Sequence, residues 1–87
     1  MAAMKFVMMI EALPGKYAEL VKLLKHCRMP KGVSIIDSLA IFGKPDVVII
    51  FEAENEERAA EFAIQFGDCG DVKTLLAQPM EKMKWTR

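Results

Sequence analysis

The chain has 87 residues, of which 12 are basic and 12 acidic, giving a formal net charge of zero. This length accommodates one domain with one modest core, and a chain so short buries only roughly 60 to 65% of its unfolded surface, so a partner subunit would add stability. The charge balance argues against a nucleic-acid module that relies on phosphate neutralisation, and the apolar runs fall far short of the roughly 20 residues a membrane span needs.

The N-terminus, Met1-Ala2-Ala3-Met4-Lys5-Phe6, lacks the basic region and long apolar segment of a secretory signal, which makes the cytoplasm the expected location. From Met4 to Ala12, Phe6, Met8 and Ile10 take one parity and Val7 and Met9 the other. A strand apolar on both faces belongs in the interior of a sheet. Pro14-Gly15 then breaks the extended run. From Lys16 to Arg28, Tyr17, Leu20, Val21, Leu24 and Cys27 recur at three- and four-residue spacing, with Lys16, Glu19, Lys22 and Lys25 opposite, which predicts an amphipathic helix. Its basic C-terminal end favours the helix dipole, and Pro30 restricts Met29, so the helix stops before it.

A strand is expected from Val33 to about Phe42, nearer an edge, with Ile35, Leu39 and Ile41 at one parity and Ser34 and Ser38 at the other. The turn Phe42-Gly43-Lys44-Pro45-Asp46 follows, with Pro45 kept out of the ladder because it lacks a donor. Val47-Val48-Ile49-Ile50-Phe51 has no polar residue at either parity and reads as a second interior strand. The hairpin from Ile35 to Ala53 is thus the element around which the rest packs. Asn55 is the best N-cap candidate for a second helix, Glu56 and Glu57 supply negative charge to its first turn, and Gly67 lies past its end. Ala59, Ala60, Phe62, Ala63 and Phe66 are its expected inner face. A last strand, Val72 to Ala77, precedes Pro79 and a basic tail carrying Trp85. With no linker, repeat or low-complexity stretch, residues 1–87 read as a single domain.

The order βαββαβ predicts the split βαβ, or ferredoxin-like, α+β fold: a four-stranded antiparallel sheet with both helices on one face and strands one and three in its centre. One sheet face then stays open. Either Val48 and Ile50 or Val47, Ile49 and Phe51 point there, together with one parity of the first strand, and Val48, Ile50, Met9 and Val7 are the candidate interface residues. So large an apolar patch predicts a homodimer packed sheet face to sheet face.

From Ile36 to Met83 the chain carries three features: Gly43-Lys44-Pro45-Asp46-Val47-Val48, Ala53 before an acidic helix start, and Gly70-Asp71-Val72-Lys73-Thr74 before the last strand. In these it resembles the GYD-domain family, small bacterial and archaeal proteins similar in turn to the ligand-binding domains of Lrp/AsnC regulators and to other dimeric α+β barrels. Gly43 and Asp46 match the family's turn, whereas Pro45 stands where the family usually has tyrosine. The resemblance implies the fold and dimerisation, and brings no agreed activity.

Candidate sites follow from residue chemistry. The resemblance implies that the turn with Gly43 and Asp46 could hold a polar ligand at a subunit junction, as the corresponding turn does in regulator domains of this kind, whereas residue chemistry alone has Asp46 accept N–H bonds within its turn. Tyr17 is the one polar group on the first helix's inner stripe and joins them as a ligand-binding candidate. His26 lies about 100° round the helix from Cys27, so the two are badly placed to chelate a metal or form a dyad. Cys27 and Cys69 read as reduced thiols. In Gly67-Asp68-Cys69-Gly70-Asp71, neighbouring acids would raise the thiol pKa and blunt its reactivity, which favours a plain connecting turn. Lys22, Lys25, Arg28 and Lys31 form a basic side at the end of the first helix, and Met8, Met9, Met80 and Met83 are soft filler suited to an interface or an adaptable pocket. No P-loop, dinucleotide fingerprint, zinc site or serine triad is present, so no catalytic residue, metal or cofactor is assigned. Two function classes remain: a small-ligand-binding or regulatory dimer, or a cofactor-independent monooxygenase- or isomerase-type enzyme of the dimeric α+β barrel class. The first is preferred, because the predicted inner faces supply almost no converging polar groups.

Overall fold

The structure, a computed structural model, describes residues 3–41 and 43–80. Phe42, Met83 and the tail with Trp85 lie outside the described residues. In chain order the elements are β1 (Met4–Ala12), α1 (Tyr17–Lys25), β2 (Val33–Ala40), β3 (Val47–Ala53), α2 (Glu56–Ile64) and β4 (Gly70–Ala77). The sheet runs β2-β3-β1-β4 with every neighbouring pair antiparallel. The two strands apolar at both parities are therefore the two central ones, and the fold is ferredoxin-like.

The core lies between sheet and helices. Phe6, Met8 and Ile10 of β1 and Val47, Ile49, Phe51 and Ala53 of β3 are buried against Leu20 of α1, Ala59 and Phe62 of α2, and Phe66 just beyond it. A run of aromatic rings crosses it. Phe6 stacks on Phe51 with centroids 5.4 Å apart, Phe51 meets Phe62 edge to face at 4.9 Å, and Phe62 meets Phe66 likewise at 5.5 Å. The opposite parity, Val7 and Met9 of β1 with Val48 and Ile50 of β3, points to the open face and is half-buried. Across the ladder Val7 stands opposite Ile50 and Met9 opposite Val48, so the four form one block.

The helices are shorter than their periodicity predicts, α1 ending at Lys25 and α2 at Ile64. Helix α1 stops at Lys25 rather than Arg28 because both backbone groups of Arg28 are taken: its N–H donates to Gln65 Oε1 at 2.9 Å and its carbonyl accepts from Gln65 Nε2 at 2.7 Å. Helix α2 is capped as expected, Asn55 Oδ1 accepting from Arg58 N at 2.9 Å. Its contact stripe is narrower than predicted. Ala59 is buried, but Ala60, about 100° further round, is exposed. Strand β4 begins at Gly70 rather than Val72, since Gly70 pairs with Ala12 and lies against β1, where a Cβ would come within 2.5 Å of Ile10 Cγ2 and 3.1 Å of the Glu11 carbonyl oxygen. Cys69, expected in an open loop, is consequently buried.

Candidate ligand pocket under helix α1

Strand β2 ends at Ala40, and a bulge shifts its parity. Ile35 pairs with Phe51 and Asp37 with Ile50, so Ile36 is an extra residue with no partner of its own. One inserted residue moves every later side chain to the other face. Val33 and Ile35 share the helix side with Ala53 and Phe51; beyond the bulge Ser38, opposite Ile49, and Ala40, opposite Val47, take that side. Leu39, opposite Val48, goes to the open face. Ile35 and Leu39 thus fall on opposite faces, contrary to the single stripe that their spacing predicts.

The consequence is a gap beneath α1. Ser38 and Ala40 are small, and the outer part of the helix's apolar arc, Tyr17, Val21 and Leu24, overhangs them. Between helix and sheet lies a pocket of about 270 Å³, lined on the sheet side by Ile35, Ser38, Leu39, Ala40, Val47 and Ile49 and roofed by Tyr17, Val21, Leu24, Lys25 and Cys27. Its polar side chains are Tyr17, Ser38 and Lys25. Burial pushes the Cys27 thiol above its ordinary value, so at neutral pH it is a protonated, apolar part of the wall.

The structure separates the other candidates from this pocket. His26 lines a different groove, of about 620 Å³, between the ends of α1 and α2 with Leu23, Met29, Glu61 and Gln65. Tyr17 and His26 therefore do not converge. Gly43, at φ +119°, makes the reversal after β2, and the Lys44–Pro45 peptide is cis. Asp46 N donates to Ile10 O at 3.0 Å, Asp46 O accepts from Ile41 N at 2.9 Å, and Asp46 Oδ2 accepts from Ala12 N at 2.8 Å. The side chain of Asp46 thus ties the turn to the end of β1. Lys44 Nζ lies 2.9 Å from Glu11 Oε2, and that carboxylate holds the exposed lysine's pKa above its ordinary value. This turn borders a small hollow of about 220 Å³ with Met9, Glu11, Asp71 and Lys73. Among the described residues, no group of three or more His, Cys, Asp or Glu side chains is placed to hold a metal ion, and no helix is long and apolar enough to cross a membrane.

Tyr17, a candidate from the sequence, lines this pocket, but its surroundings carry no such signal. Ser38 and Ala40 take the helix side by pairing with Ile49 and Val47, a placement that the bulge at Ile36 hides from the alternation of the sequence, and Gln65, which fixes the approach to β2, carries no sequence signal beyond being polar between two buried phenylalanines.

These features define a small ferredoxin-like α+β domain with one apolar pocket beneath its first helix. The chain belongs to a domain family of unknown function, DUF3303, whose model matches residues 4–85. That match does not show the GYD family that the turn resembles. Comparison with curated proteins gives no match. Among solved structures, that of B. subtilis LrpC is similar, with a TM-score of 0.68 at 12% identity, covering 85% of this chain and 49% of LrpC. At that identity the likeness shows the fold alone, and this chain spans about half the length of LrpC.

Proposed function

We propose that this chain is a small homodimeric ligand-binding module, with its ligand in the pocket between α1 and the β2–β3 half of the sheet. The observation that carries this reading is the β2 bulge, which sets Ser38 and Ala40 under the helix and leaves a mostly apolar pocket with a few polar side chains, the usual make-up of a small-molecule site. The apolar open face supports the dimer. The LrpC likeness, in which the same fold makes up part of a longer chain, supports reading it as a self-contained module. An enzyme of the monooxygenase or isomerase type is less well supported, because Tyr17 meets neither histidine nor carboxylate in the pocket.

Native mass spectrometry on gently purified protein tests this, comparing the wild type with Ala40→Leu, a variant that fills the pocket floor. The expected result is a small-molecule mass carried by the wild type and lost from the variant, with circular dichroism unchanged. Equal extra mass on both proteins, or none on either, would count against this pocket as the site.

A further inference from the structure

The pocket under α1 has a charge sign. Among its lining residues one is basic, Lys25, and none is acidic. The ion pairs among the described residues are Lys16–Glu19, Lys44–Glu11 and Arg58–Glu61, so among these residues no acid forms an ion pair with Lys25. A cationic ligand would meet repulsion there and find no acidic partner, whereas an ionised acid could place its tail on the apolar floor and its charge at the rim. An unpaired carboxylate inside apolar walls would be strongly disfavoured, so the anion needs that lysine.

We infer that the pocket takes a small apolar monocarboxylate, its chain against Ile35, Val47 and Ile49 and its carboxylate at Lys25, with Tyr17 and Ser38 as the other polar neighbours. This rests on the reading of the pocket as the ligand site. The volume, about 270 Å³, suits a small molecule with a short apolar chain. Hexanoate and octanoate are such molecules.

The test is a titration of the full chain followed by amide NMR, using sodium hexanoate, sodium octanoate, 1-octanol and octylamine. The carboxylates are expected to shift the amides of Val21, Ile35, Val47 and Ile49, and octanoate to bind roughly fivefold tighter than 1-octanol, as a partly exposed charge-assisted contact allows. In Lys25→Gln, an exposed substitution that leaves the fold intact, that advantage should vanish and octylamine should bind no worse than octanol. Equal affinity for octanoate and octanol in the wild type, unchanged in Lys25→Gln, would overturn the carboxylate assignment and leave the pocket standing. No shift at those amides with any amphiphile would overturn both.

Discussion

The carboxylate of Asp46 has a partner inside the fold, the amide of Ala12, and its own backbone bonds to Ile10 and Ile41 complete a clasp between the turn and β1. Replacing it with alanine leaves the Ala12 N–H without that acceptor, so Asp46→Ala should cost about 1–2 kcal/mol in urea unfolding, with Asp46→Asn costing less because an amide oxygen can still accept. An unchanged unfolding midpoint in Asp46→Ala would free the residue for a binding role. Cys27 gives a pH prediction. Burial raises its folded-state pKa, so the native thiol keeps its proton at pH values where the unfolded chain has begun to lose it. The stability this contributes is fully present below the unfolded value, about 8.5, and is lost as pH rises through the higher folded value. Iodoacetamide labelling of Cys27 should accordingly show a midpoint above that of the urea-unfolded protein; a midpoint at or below it would refute the burial argument. The place of Cys27 on the inner stripe of α1 was readable from its spacing, whereas the partner of Asp46 was not, because Ala12 lies 34 residues away along the chain.

Strand β2 is the element on which the pocket depends. Its pairing places Ser38 and Ala40 by register with β3, while Ile36 contributes no rung and is half exposed. Deleting Ile36 should therefore regularise the strand without changing which face Ser38, Leu39 and Ala40 occupy. The expected outcome is a folded protein that still binds octanoate, whereas deleting Ser38, which advances every later side chain by one position, should abolish binding. Loss of binding in both deletions would mean that the bulge itself shapes the site. Strands β1 and β3 were legible because five or more apolar residues at both parities admit only an interior position, and α2 because Asn55 and its acidic first turn mark a start. The bulge was not, since it arises from pairing across strands and leaves the alternation of Ile35, Leu39 and Ile41 looking regular. The early end of α1 was hidden for the same kind of reason: it is set by Gln65, just past the end of α2.

At the scale of the whole molecule, the open sheet face is the feature that a lone subunit leaves unsolved. Val7, Met9, Val48 and Ile50 sit at its centre, Leu39 and Leu75 flank them at 44% and 55% exposure, and charged residues rim the two ends, Lys5 opposite Glu52 and Glu11 opposite Asp71. Four strands of about eight residues present roughly 500 Å² in projection before side-chain relief is added, which approaches the roughly 800 Å² per partner of a standard interface. An apolar centre inside a charged rim is the arrangement such interfaces share. If two copies pack here, Val48→Asp brings two unpaired carboxylates into the buried centre, one from each subunit, and should weaken the dimer on the order of 100-fold or more in Kd. Ile64→Asp, on an α2 position that is 79% exposed on the helix side, should leave assembly untouched. Sedimentation velocity across a micromolar dilution series reads both. Dissociation in the Val48 variant alone places the interface on the sheet; a monomeric wild type at these concentrations would mean that the open face meets something other than a second copy, and dissociation in the Ile64 variant alone would move the interface to the helices.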